Sequence, residues 1–195
     1  MNKIIAITGG IGSGKSFALK IVNKLGYKSF SADLIYKNLL KSKRFVLGVC
    51  SLLNVEPIEE NGKIYLDRQA VSKVVFNDKT KLKTLNDFTH PKIMKKMTSL
   101  AKKQDGLVFC EVPLLFEGGF ENLFDYILVI KRKDEDRFLS ASKRDGKTVE
   151  QIKEVAKNQF DYTNLKDNEH TFIIENDGDE IALTEKIKVA IKNLI

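Results

Sequence analysis

Residues Gly9, Gly10, Ile11, Gly12, Ser13, Gly14, Lys15 and Ser16 fit the pattern GxxxxGK[ST], a spacing whose chemistry is phosphate binding. Glycine admits backbone dihedrals that other residues resist, so successive N–H groups can turn inward and ring an anion. A helix opening directly after such a loop adds its positive end. Lys15 then reaches the β and γ phosphates of a nucleoside triphosphate, and the Ser16 hydroxyl serves as a ligand for magnesium (Mg2+). Phe17 follows the loop serine and closes the stretch Gly10–Phe17 expected to contact ATP. An ordinary glycine-rich turn would not require both the pattern and the strand-then-helix context found here.

Two carboxylates complete a candidate transfer site. Asp33 ends the second expected strand, at the carboxyl edge where ligands bind in open α/β sheets. It should face the phosphate loop, either as a general base that takes the proton from an attacking hydroxyl or as a cap for the helix starting at Leu34. Glu111 ends the apolar run Leu107–Cys110, where an acid holds magnesium through water unless it is simply a solvated strand end. Glu117 reads as surface or capping, and Cys110 as core. His90 precedes Pro91 at the expected start of a helix over 91–102, where a structural role competes with a catalytic one. Arg132, Lys133, Arg137, Lys143, Arg144 and Lys147 cluster along one segment. They form either a solvated face or a basic lid that closes over ATP and brings an arginine to the transferring phosphoryl group.

The elements that must position these groups follow from hydrophobic patterning. Apolar runs at 4–7, 107–112 and 126–130, with weaker ones at 27–30 and 172–174, read as strands. Between the first two lies 15–25, where Phe17, Leu19, Ile21, Val22 and Leu25 share a helical face. Strands alternating with helices imply an α/β fold, a P-loop NTPase three-layer arrangement with a parallel central sheet. The stretch of about 34–102 is helical in pattern without a core strand, and is expected to be an acceptor-binding insertion. A helical lid is expected over about 131–167, with a turn at Arg144-Asp145-Gly146 and a helix capped by Thr148 and Gln151.

The 195 residues suit a single domain carrying these embedded modules. With 43% hydrophobic and 30% charged residues and three prolines, the composition is that of an ordinary globular chain. The net charge of +7 suits polyanionic ligands, nucleotides or nucleic acid alike. Cys50 and Cys110 are too few and too far apart for a disulfide framework or zinc site, which fits a reducing cytoplasm. The apolar stretch 4–7 is too short for a signal-peptide core, and no run reaches the roughly 20 residues of a membrane span.

Taken together, TGGIGSGKS at 8–16, Ala32-Asp33, the glycine-then-DR segment NGKIYLDRQAV at 61–71, Val75-Phe76, His90-Pro91 and EVPLLFE at 111–117 resemble the dephospho-CoA kinase family over nearly the whole chain. Arg144-Asp145-Gly146 and IIEN at 173–176 followed by Gly178 are similar to its lid and adenine-side loop. The resemblance implies ATP and dephospho-CoA as substrates, Asp33 as the base, Arg68 and His90 on the acceptor side, Arg144 as the lid arginine and Asn176 beside the nucleotide. No nucleic-acid or membrane partner is expected, and the chain is expected to be a monomer or weak homo-oligomer. Phe17, Ser31, Gly118-Gly119 and Glu175 depart from the family pattern without touching the base. Ser140 stands where an earlier lid arginine is usual, so either Arg137 or Lys143 is expected to compensate or that contact is expected to be absent. A nucleoside or nucleotide monophosphate kinase would share the fold but not EVPLLFE and the HP pair. A GTPase would need an NKxD sequence, which the chain lacks. A nucleic-acid-binding ATPase would call for an aromatic-interleaved basic stripe rather than dispersed charge.

Overall fold

The computed structural model describes residues 2–194. Along the chain run β1 (Lys3–Thr8), α1 (Lys15–Lys24), β2 (Lys28–Ser31), α2 (Ala32–Leu39), α3 (Lys43–Leu53), β3 (Ile58–Glu60), β4 (Lys63–Tyr65), α4 (Arg68–Asn77), α5 (Lys79–Ala101), β5 (Leu107–Glu111), β6 (Tyr126–Lys131), α6 (Asp134–Asp145), α7 (Val149–Lys157), β7 (Thr171–Glu175) and α8 (Glu180–Lys192). They divide into one compact unit of residues 1–31 with 100–195 and a second of residues 32–99.

The first unit is built on a five-stranded sheet in the order β2-β5-β1-β6-β7, parallel throughout. β1, β5 and β6 are near-continuous apolar runs because both their faces are covered; Ile5, Ile7, Phe109, Leu128 and Ile130 are fully buried. Ala18, Ile21 and Val22 of α1 pack into the same core as Leu183, Ile187 and Ile191 of α8. The Asp125 carboxylate accepts the Ile4 N–H at 2.6 Å, which ties the start of β6 to β1. Ile7 and Ser31 both pair with Glu111, so the carboxyl ends of β1, β2 and β5 lie side by side. The chain leaves that edge after β1 as the phosphate loop.

Within this unit α6 ends at Gly146, whose φ of 63° supplies the left-handed cap. α7 begins at Thr148 with the capping box that Thr148 and Gln151 were expected to make. Phe138, Ala141 and Ile152 form their small core. The second helix stops at Lys157.

The second unit is mainly helical around Phe45, Val49, Leu53 and Val71. It also holds a short hairpin that the helical patterning did not reveal. β3 and β4 pair antiparallel across Asn61 and Gly62, with φ values of 50° and 71°, as an Asn-Gly primed turn requires. Two expectations are corrected here. Asp33 is not the last residue of a strand; β2 passes directly into α2, and Asp33 is its second residue. Nor does a helix start at Pro91, because α5 runs through it from Lys79 to Ala101. An interior proline forfeits one backbone bond and crowds the carbonyl four residues back, at about 3 kcal/mol. Burial of Ile93, Met94 and Met97 in the following turns offsets that cost.

Candidate active site

The phosphate loop is shaped by its glycines at the positions where a side chain cannot fit. Gly9 and Gly12 have φ of 146° and 75°, and a Cβ would strike the backbone carbonyls of Ile130 and Arg137 respectively. Gly14, at φ 102°, is the N-cap of α1, so the loop delivers its N–H groups to the helix start. The Ser13 hydroxyl is buried without a hydrogen-bond partner, alone in this among the described side chains. Asn176, at the end of β7, donates from Nδ2 to the Ser13 carbonyl at 2.8 Å and stands against Gly14. Phe17 packs against the sheet core, and its N–H is used by the Gly14 carbonyl; its side chain serves the fold.

Lys15 donates from Nζ to the Gly9 and Gly10 carbonyls at 2.7 and 2.9 Å. Burial pulls its ammonium down from 10.5 to about 8; Glu111 and Glu117 oppose this, and Arg144 and Arg137 add to it. Ser16 Oγ donates to Glu111 Oε1 at 2.5 Å, and Glu111 is buried. Two hard oxygen donors therefore meet beside the loop, the donor chemistry that magnesium takes together with phosphate oxygens and water. The residues fit that ion.

Arg137 projects from α6 onto the loop, donating from Nη1 to the Ile11 carbonyl at 3.3 Å and from Nε to Asp134 at 2.7 Å. It lies one helical turn before Ser140, on the same face. Arg144, near the end of α6, forms a two-pronged pair with Asp145 at 2.7 and 2.8 Å, which holds the Asp145 carboxyl below its ordinary range. A cavity of about 570 Å³ beside the loop is lined by Gly10, Ser13, Lys131, Arg132, Arg137 and Gln159, among others. Its basic wall suits a polyphosphate.

In the second unit, Asp33, Tyr36, Lys37, Leu66, Arg68 and Val75 are among the residues lining a cavity of about 360 Å³. Arg68 opens α4 directly after its Asp67 cap. Arg68 and burial act oppositely on the Tyr36 hydroxyl, burial prevailing and raising it. His90 lies within α5, partly buried, and is not among the residues lining this cavity.

The structure thus joins Gly10–Ser16, Glu111 and Asn176 in one unit, and Asp33 with Arg68 in the other. Sequence reasoning missed Gln159, Tyr162 and the use of Glu117. Gln159 Oε1 accepts the Ile11 N–H at 2.8 Å, and Glu117 Oε1 accepts the Phe160 N–H at 2.8 Å. The Tyr162 hydroxyl meets Thr8 Oγ1 at 3.4 Å, and burial pushes it up to about 12. These partners are between 43 and 154 residues apart, so no periodicity links them; EVPLLFE was the one local signal, and it marked Glu117 only.

A parallel sheet whose central strand feeds a glycine loop, a lysine and a serine–glutamate pair defines a P-loop phosphotransferase. The family model described as dephospho-CoA kinase matches residues 3–181, and the chain belongs to that family. A dephospho-CoA kinase of Fusobacterium nucleatum is 35% identical over 80% of this chain and 81% of its own length. One of Leptospira interrogans is 32% identical over 98% and 93%. Among solved structures, the Thermus thermophilus protein TT1252 superposes with a TM-score of 0.81 at 27% identity, covering 100% of this chain and 98% of its own. The dephospho-CoA kinase from Campylobacter jejuni superposes with 0.64 at 29%, covering 98% and 97%. Among the described residues no helix is long and apolar enough to cross a membrane.

Proposed function

We propose that this chain transfers the γ-phosphoryl group of ATP directly and in line to the ribose 3′-hydroxyl of dephospho-CoA, giving CoA and ADP, with no phosphoenzyme. The observation that carries the reading is the loop with Lys15 and the Ser16–Glu111 pair, within a family match spanning residues 3–181. Loop N–H groups and Lys15 hold the β and γ phosphates and offset the charge that develops during transfer. Ser16 and Glu111, the latter through water, would hold magnesium, which supplies further charge compensation at the phosphate oxygens. Arg144 and Arg137 belong to the lid of about 131–167. Arg144 reaches the phosphoryl group by exchanging Asp145 for it, while Arg137 takes the part left open by Ser140. Asn176 borders the nucleotide beside Gly14.

Asp33 orients the acceptor hydroxyl and takes its proton as the oxygen attacks, and Arg68 and His90 bind on the acceptor side. Its exposure and its place in the 360 Å³ cavity with Arg68 support this role over that of a helix cap. The helical segment of about 34–102 is the acceptor module of one kinase domain. The two buried free cysteines, Cys50 and Cys110, support a reducing, cytoplasmic setting, and burial pushes the Cys110 thiol up to about 12, which leaves it unreactive.

The test offers dephospho-CoA, adenosine, AMP and CMP separately with ATP and magnesium, measuring ADP release and product mass. Selective gain of one phosphate by dephospho-CoA is expected; turnover of AMP or CMP alone would overturn the acceptor assignment. Asp33→Asn should lower kcat by about 10²-fold or more, the scale of general-base contributions, at unchanged ATP affinity. Lost ATP binding in a folded D33N protein would refute the base role.

A further inference from the structure

Ile11 is held by every group it has. Its N–H is accepted by Gln159 Oε1 at 2.8 Å, its carbonyl accepts from Arg137 Nη1 at 3.3 Å, and its side chain packs against the core of Phe138, Ala141 and Ile152. Here the loop is attached to the α6–α7 module through one residue, and the attachment of its N–H comes from the segment leaving α7.

That segment is itself fastened at two more points. The Glu117 carboxylate, beyond β5, accepts the Phe160 N–H at 2.8 Å. The Tyr162 hydroxyl meets Thr8 Oγ1, at the end of β1, at 3.4 Å. Phe160 stacks on Phe116 with ring centroids 4.5 Å apart, and Tyr162 stands edge-on to both rings at 5.1 and 5.9 Å. The polar fastenings thus flank an aromatic cluster that resists sliding. Segment 159–162 bridges the exit of α7, the end of β1, the turn after β5 and the bend of the phosphate loop.

We propose that residues 159–162 form a strap that sets the arc of the phosphate loop, with Gln159 as a positioning residue for nucleotide binding and Glu117 as the anchor of the strap. This rests on the reading of the loop as the ATP site. Gln159 acts through Ile11: by fixing the bend before Gly12, it fixes the direction of the N–H groups from Gly12 to Ser16. The triphosphate then meets donors already ordered, and binding does not have to supply that order. Glu117 acts at one further remove, through Phe160.

The experiment compares the wild-type chain with Gln159→Ala, Glu117→Ala and the double variant. It follows backbone amide exchange at Ile11 and Phe160 by NMR, with Ile5 in β1 as the internal control for intact fold, and ADP affinity by calorimetry. Loss of a hydrogen bond of this class should speed exchange by about tenfold. Q159A is expected to do so at Ile11 and to weaken ADP by a similar factor. E117A is expected to speed exchange at Phe160 and also at Ile11, and the double variant to be no worse than the more severe single one. Unchanged Ile11 exchange in Q159A, or fast Phe160 but wild-type Ile11 exchange in E117A, overturns the strap. Failure of the wild-type chain to bind ADP would instead refute the nucleotide-site reading, while the exchange rates would still decide the strap.

Discussion

With Lys15 at the phosphates as proposed, nucleotide binding is linked to protons. Burial pulls its ammonium down to about 8 despite the attraction of Glu111, so about 90% of free sites carry the charge at pH 7 and about 10% at pH 9. A triphosphate favours the charged form, and binding must therefore draw a proton from solution above pH 8. The sign follows: affinity for ATP is full below pH 8 and falls as pH rises, by about tenfold between pH 7 and pH 9 if the bound lysine stays protonated. Proton uptake on binding should be about one half at pH 8 and near 0.9 at pH 9. The phosphate's own last proton leaves near pH 6, below this window. Calorimetric titration with ATP in buffers of different ionisation enthalpy measures both quantities. Glu111→Gln removes a charge that raises the lysine, so the step should move to lower pH. Buffer-independent heats at pH 9 and a flat affinity from pH 7 to 9 would refute the assignment of Lys15 as a depressed cation at the phosphates. The same shift has a folding consequence of matching sign. Between pH 8 and 10.5 the unfolded chain binds more protons at Lys15 than the folded one, so this residue's contribution to stability increases as pH rises through that interval.

Glycine substitutions separate space from backbone strain. Gly12→Ala places a methyl group against the Arg137 carbonyl at a positive φ, whereas Gly146, at φ 63°, has nothing within 4 Å. G146A should therefore cost about 1–2 kcal/mol in urea denaturation and retain ATP binding, while G12A should lose ATP binding by calorimetry. Ile152 is fully buried in the small core of α6 and α7, and Ile152→Ala should remove about 2–5 kcal/mol from that module. Limited proteolysis is expected to cut first near Lys147 in I152A, with the sheet remaining protected by amide exchange.

The parallel sheet was legible because its chemistry is local in sequence. A strand buried on both faces must be a short apolar run, and the five runs noted in the sequence became the five strands. The phosphate loop was legible for a related reason: the glycines at 9, 12 and 14 are demanded by backbone dihedrals and close approaches that the motif itself encodes. The Thr148–Gln151 capping box spans three residues and could be read directly. Where local signals competed with packing, the reading slipped. Pro91 looked like a helix start, yet burial of Ile93, Met94 and Met97 carried α5 through it. Asp33 looked like a strand end, but the chain coils into α2 one residue earlier.

The amino-acid sequence alone determined the parallel sheet, the glycine loop with its lysine, and the family to which the chain belongs, since these reside in contiguous motifs whose geometry the backbone enforces. Tertiary structure alone decided which distant side chains complete the site. Arg137 rather than Ser140 reaches the loop because α6 presents it one turn earlier, and Gln159 reaches Ile11 only because the segment leaving α7 runs back to the end of β1 and the turn after β5. The depression of Lys15 is likewise absent from any motif; it arises when packing removes water from an ammonium, with Arg144 and Arg137 adding to it and Glu111 and Glu117 opposing it. Hydrogen bonds and electric fields act over ångströms, and the chain brings residues within that range from more than a hundred positions away.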